Sequence, residues 1–149
     1  MTGRTSDEQQ IANLLFRYAD LVDAGRFDDV GALFAHGTYA GVPGERVPDL
    51  IRKVVILYED GTPRTRHITT NVAIVVGDDD TATSTSVFNV HQCAPGLPLQ
   101  PILIGTYRDR FVRIDGEWRF AERAMELQLI GDASHHMRRP PRPGHLVDG

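Results

Sequence analysis

ILIGTYRDRFVRIDGEWRFAERAMELQL, residues 102–129, is the stretch that decides the fold. Two long runs rich in β-branched and aromatic residues flank Asp115-Gly116, a two-residue signal that turns a strand back on itself. Ile102–Ile114 and Glu117–Leu129 are therefore predicted as the arms of an antiparallel hairpin. Toward the N-terminus the period of two continues. Residues 67–76, HITTNVAIVV, and residues 81–92 read as a second hairpin around Gly77-Asp78-Asp79-Asp80. Between the hairpins APGLPLQP (94–101) reads as a Pro-rich loop. Strands of this length curl as they twist.

Further outward the period changes to that of a helix. In SDEQQIANLLFRYADLVDA (6–24), Ile11, Leu14, Leu15, Tyr18, Ala19 and Val22 share one face. Ser6 and Gln9 form a capping box at its start, and Gly25 stands where a left-handed residue ends a helix. A second helix is predicted over 27–34, followed by a short strand around Thr38–Ala40. A third runs from Pro48 to about Tyr58, stopped by Asp60-Gly61-Thr62-Pro63. Three N-terminal helices and a meander make an α+β fold, helices packed on a curved antiparallel sheet. Such a cone encloses an apolar interior suited to a small ligand. One domain over residues 1–134 is expected, with a basic, Pro-rich tail over 135–149 that is mobile or laid along a neighbouring subunit.

Composition narrows the function classes. A net charge of −4 argues against nucleic acid, and no apolar run is long enough to span a bilayer or to serve as a signal peptide. The single cysteine, Cys93, forms no internal disulfide and no zinc-binding pair. The expectation is a cytoplasmic protein that needs neither metal nor cofactor.

Polar residues on apolar faces are the candidates for chemistry. Tyr18 lies inside the helical stripe, and Asp23 sits in the last turn, where the helix dipole disfavours a carboxylate. His67 opens its strand, and strict alternation puts it on a face with Thr69, Asn71, Ala73 and Val75. That face is either solvated or a polar-lined pocket. Arg123 alternates with Met125, Leu127 and Leu129, so its guanidinium is either paired inside or turned outward by a bulge. His91 ends the second strand and either lines the same cavity or sits at its rim; Tyr39 offers a pocket hydroxyl. His135 and His136 fall in the tail and are expected to be solvated, and Asp20, opposite the stripe, is expected to be inert.

These residues together resemble the SnoaL-like branch of the nuclear transport factor two-like superfamily, which includes scytalone dehydratase, a bile-acid dehydratase and the hexachlorocyclohexane dehydrochlorinase. The resemblance covers residues 6–129. It is carried by YADLVDAGRFDDVGALF (18–34), TRHITTN (65–71), the IDGEWRF hairpin (114–120) and the arginine after it. It implies a cone fold, a catalytic pair at Asp23 and His67, a tyrosine at Tyr18 as in the bile-acid enzyme, and a functional arginine at Arg123. A second histidine in scytalone dehydratase falls near His91, whereas its serine and asparagine on the third strand meet Gly105 and Tyr107 here. The implied activity is a cofactor-independent lyase, a dehydratase acting on a small hydrophobic carbonyl or hydroxy compound. The alternatives are an isomerase sharing the same proton abstraction, and a non-catalytic binding or subunit module. Tyr18, Asp23, His67 and Arg123 are the expected catalytic residues; Tyr39, Asn71 and His91 are the expected substrate contacts. The family also implies a homo-oligomer, dimer or trimer.

Overall fold

A computed structural model describes residues 3–145. Helices α1 (Asp7–Asp23), α2 (Phe27–Leu33) and α3 (Val47–Val54) pack on one side of a curved, unclosed sheet. Helix α1 begins as its sequence dictates, with the Gln9 amide donating to Ser6 Oγ at 3.1 Å. It ends at Gly25, whose φ of +72° is left-handed. Ile11, Leu15, Tyr18, Ala19 and Val22 are buried, and Asp20 is exposed on the opposite side.

The strands are β1 (Thr38–Tyr39), β2 (Val42–Pro43), β3 (Thr65–Val76), β4 (Thr81–Ala94), β5 (Leu97–Ile114), β6 (Glu117–Ile130) and β7 (Gly144–His145). Their order is β2-β1-β6-β5-β4-β3, with β7 also paired to β6. Both predicted hairpins are present. The sheet is mixed rather than wholly antiparallel, because β1 enters along the free edge of β6 in the same direction.

Three segments differ from expectation. The Pro-rich stretch 94–101 is mostly strand: Pro95-Gly96 makes the reversal, with Gly96 at φ +81°, and β5 starts at Leu97. Helix α3 stops at Val54, and Val55 instead bridges Met137 in an extended conformation suited to the β-branched run Val54-Val55-Ile56. The C-terminal segment folds back on its own chain. The Ile56 amide donates to the His136 carbonyl at 2.8 Å, the Arg138 amide to Val54 at 3.0 Å, and β7 pairs with β6. The last part of the predicted tail, residues 146–149, lies outside the described residues.

Two bulges decide which side chains face inward. In β3, Thr70 stands opposite Val87 and Ala73 opposite Thr85, so Asn71 and Val72 share one partner position. Asn71 takes φ +52°, a conformation asparagine tolerates better than most residues. Alternation reverses there. Thr65 and His67 face inward before the bulge, and Val72, Ile74 and Val76 pack on the core after it, while Ile68 and Val75 are exposed. In β6, Arg110 stands opposite Glu122 and Phe111 opposite Phe120, leaving Ala121 extra. Trp118 and Phe120 are therefore followed inside by Arg123, Met125 and Leu127. A Cβ on Gly37 would overlap the Ala121 carbonyl, so this bulge is packed against glycine.

Candidate active site

A cavity of about 110 Å³ lies between α1, α3, the inner face of the sheet and the C-terminal segment. Val22, Leu50, Ile51, Val54, Val55, Phe88, Val90, Leu103, Met125 and Met137 give it an apolar wall. Its polar groups are Tyr18, Tyr39, Tyr107, His67 and His136.

The last turn of α1 delivers Asp23 to the start of β3. Its carboxylate accepts from the Thr65 hydroxyl at 2.9 Å, from the His67 amide at 2.7 Å and from His67 Nδ1 at 2.5 Å. Both side chains are largely buried, His67 at 9% and Asp23 at 5% exposure. These three donors compensate a carboxylate placed at the unfavourable end of a helix dipole. The contact also fixes the ring. Because a carboxylate only accepts, Nδ1 carries the proton, and in the neutral ring Nε2 holds the lone pair. The ring lines the cavity.

Tyr18 and Tyr39 share a hydrogen bond of 2.8 Å between their hydroxyls. Only one of the two protons is used in it, so the pair can still donate one hydrogen bond. Burial pushes the phenol of Tyr18 well above its ordinary range, with the neighbouring Tyr107 adding to the effect and Arg123 opposing it. Tyr39 and Tyr107 are likewise raised, chiefly by burial. All three are neutral hydrogen-bonding groups at physiological pH.

Arg123 is buried as one sequence reading required, but it does not line the cavity. It is 0% exposed, and its Nε and Nη2 donate to the two oxygens of Asp109 at 2.8 and 2.9 Å. The guanidinium stacks 3.7 Å from the Tyr107 ring centroid and 4.3 Å from that of Tyr18. Burial, the largest influence, opposes its charge, but Asp109 together with Tyr107 and Tyr18 outweighs burial and raises the guanidinium further above its usual value. Arg123 thus backs the tyrosines from behind.

Two expected substrate contacts lie elsewhere. Asn71 is exposed at the bulge, since its positive φ turns the strand over at that point. His91 falls between inward-facing Val90 and Gln92, which puts it on the outer face of β4. Tyr39 does line the cavity.

Two residues were missed by sequence reasoning. Asp109 alternates with Tyr107 and Phe111, the same signal of a charge on an apolar face that marked Arg123. His136 had no local signal. It is 5% exposed, lines the cavity, and its Nδ1 has no hydrogen-bond partner. An orphaned buried nitrogen of this kind costs about 1–3 kcal/mol. Burial, assisted by the proximity of His67 and opposed by Asp23, pushes its pKa down to about 4. Among the described residues, no group of three or more His, Cys, Asp or Glu side chains is arranged to hold a metal ion. No helix among them is long and apolar enough to cross a membrane.

The fold is a helix-capped cone of curved sheet around a mostly apolar cavity. The SnoaL-like domain family matches residues 3–124, and the chain belongs to that family. No curated protein matches it. Among the solved structures similar in fold are three from Novosphingobium aromaticivorans. One is an NTF2-like protein with a cystatin-like fold (23% identity, 85% of each chain, TM-score 0.67). A second is provisionally assigned as a scytalone dehydratase (18% identity, 94% of this chain and 92% of that one, TM-score 0.69). A third is the β subunit provisionally assigned to an aromatic-ring-hydroxylating dioxygenase (18% identity, 83% and 90%, TM-score 0.64).

Proposed function

We propose that the protein is a cofactor-independent lyase that removes water or another β-leaving group from a small, largely hydrophobic carbonyl compound. The observation that carries this reading is the 2.5 Å contact between Asp23 and His67 Nδ1, with the rest of the ring on the cavity. His67 Nε2 takes a proton from the carbon next to the carbonyl, and the C–H electrons move onto the carbonyl oxygen. Asp23 holds the imidazolium that forms. The Tyr18–Tyr39 pair donates its remaining hydrogen bond to the oxygen as it gains charge. When the carbonyl reforms, the β carbon–oxygen bond breaks, leaving a C=C bond; the departing hydroxide takes the proton and leaves as water. Arg123 holds the rings of Tyr18 and Tyr107 in place.

An isomerase of the ketosteroid-isomerase type shares the first step and returns the proton to a different carbon. A ligand-holding or subunit role is the second reading, supported by the fold shared with a dioxygenase β subunit and by the apolar cavity. Asp23→Asn and His67→Ala, assayed on a panel of β-hydroxy ketones, separate these readings. A lyase loses about 10²–10⁴-fold in turnover. Full turnover in both variants, or none in the unaltered protein on any panel member, sinks the dyad. The resemblance to the family supports self-association into a dimer or trimer through the open sheet face, which sedimentation equilibrium reads directly.

A further inference from the structure

His136 is the polar group of the cavity that the proposed reaction leaves without a task. Its imidazole is held where it is by backbone contacts on both sides. The His136 carbonyl accepts from Ile56, the Arg138 amide donates to Val54, and Met137 bridges Val55. The preceding carbonyl, that of His135, accepts from Tyr58 Oη at 2.5 Å and from Gln92 Nε2 at 3.0 Å. So many anchors make the segment a fixed wall of the cavity. They do nothing for the ring itself, whose Nδ1 is buried without a protein partner. A side chain needed only to seal an apolar wall would be an apolar one, like neighbouring Met137. Each nitrogen of a neutral imidazole is either an N–H donor or a lone-pair acceptor, and a hydroxyl group complements either.

We propose that His136 is a substrate-binding residue that holds a hydroxyl group of the substrate beside the carbon that His67 deprotonates, so that the site takes hydroxylated small molecules in preference to their deoxy counterparts. The position follows from the geometry. His136 and His67 both line the cavity, and they are close enough for charge on His67 to disfavour charge on His136. The ring remains neutral at physiological pH and can serve a hydroxyl group as donor or as acceptor. The volume, about 110 Å³, is of the order that accommodates a six-membered ring (an apolar cavity of roughly 150 Å³ binds benzene). The substrate class is then a compact cyclic or short-chain carbonyl compound with a hydroxyl on the carbon adjoining the deprotonated one. This deepens the lyase reading, in which that hydroxyl is the group that leaves.

The test is a binding measurement, made on the protein and on each His136 variant both with His67 and with His67→Ala, the second set being free of turnover. Cyclohexanone and 3-hydroxycyclohexanone are titrated by calorimetry into the full-length protein, His136→Phe and His136→Gln, each with and without His67→Ala, with thermal unfolding of each variant as the check on folding. The unaltered protein is expected to bind the hydroxylated ketone about tenfold more tightly, the worth of one added hydrogen bond. His136→Phe reduces the ratio to about one without weakening cyclohexanone, and His136→Gln, which keeps a donor and an acceptor, retains part of the preference. His67→Ala keeps it while losing turnover. A preference that survives in folded His136→Phe overturns the proposal, as does an unaltered protein that binds the two ketones equally or binds neither. If His136→Phe fails to fold, loss of the preference in His136→Gln beyond that in His67→Ala supports the proposal, and an unchanged preference overturns it. Persistence of turnover in His67→Ala, with the preference still tied to His136, overturns the lyase reading and leaves the hydroxyl site standing.

Discussion

Among the described residues, two buried acid–base pairs differ in one respect. Asp23–His67 and Asp109–Arg123 are each made of side chains hidden from bulk solvent, and each carboxylate receives charge-assisted or backbone hydrogen bonds. His67 shows part of its ring to a cavity. Arg123 shows nothing to it, being enclosed by Asp109 and by the rings of Tyr18, Tyr107 and Phe120. Burial of a charge therefore does not by itself mark a site. A pair becomes chemically useful when one member keeps an unfilled hydrogen-bonding position facing a space that a ligand can enter. A closed pair positions what surrounds it.

The largest expected effects break this comparison from its two sides. Removing His67 should cost about 10²–10⁴-fold in turnover on an accepted substrate and about 1–3 kcal/mol in stability, because the buried Asp23 carboxylate loses one of its three donors. Asp109→Asn should weigh more heavily on stability. It leaves a fully buried guanidinium without its counter-charge, which costs about 3–5 kcal/mol in stability. Urea unfolding of both variants, alongside initial rates, checks the pair of outcomes. If Asp109→Asn unfolds normally, the closed pair is not what holds the tyrosine wall together.

A smaller effect concerns pH. The pKa of His136 is lowered from 6.5 to about 4 in the fold, so between those values the unfolded chain binds the proton more readily. Stability from this group is thus fully present above pH 6.5 and is lost as pH falls toward 4, by about 3 kcal/mol in all. His136→Phe should remove that slope. Chemical unfolding of the two proteins at a series of pH values measures it; parallel pH profiles would show that His136 is not kept neutral by burial.

The legibility of the sequence follows the same division between local and non-local causes. Helix α1, its cap and its inward Tyr18 came from a period that neighbouring residues set, and the hairpins came from turn chemistry at Asp115-Gly116 and Gly77–Asp80. Asp23 and His67 stood out because each was polar where its element should be apolar or undistinguished. The Asp109 signal was of this kind too, a carboxylate between Tyr107 and Phe111, and the rule applied to Arg123 would have found it. His136 could not be read this way. Its burial depends on pairing with residues 54–56, about 80 positions away, and a run of arginines and prolines follows it. The faces assigned to Asn71, Ala73 and Val75 failed for a different reason. An extra residue in a strand inverts every side chain beyond it, and alternation carries no record of where the insertion falls.

The smallest effect tests that inversion. Asn71 adopts φ +52° on an exposed surface, where its side chain adds little packing. Asn71→Gly, which has no Cβ to strain, should therefore change stability by no more than about 0.5 kcal/mol and leave turnover near its original value. Asn71→Val meets the left-handed conformation with a β-branched side chain, at a cost of about 1–2 kcal/mol. The strand can relieve that strain by giving up the bulge, and then the two halves of β3 no longer share an inner face. Either His67 turns outward, away from Asp23, or Val72, Ile74 and Val76 do. The core holds three apolar side chains on one side and the Asp23 contacts hold one ring on the other, so the outcome sharpens how firmly the site is fixed. Retained stability with lost turnover in Asn71→Val would show that the core wins and the dyad is sacrificed. A loss of about 1–2 kcal/mol with turnover intact would show that the bulge persists under strain, held from the cavity side by the three hydrogen bonds that Asp23 accepts.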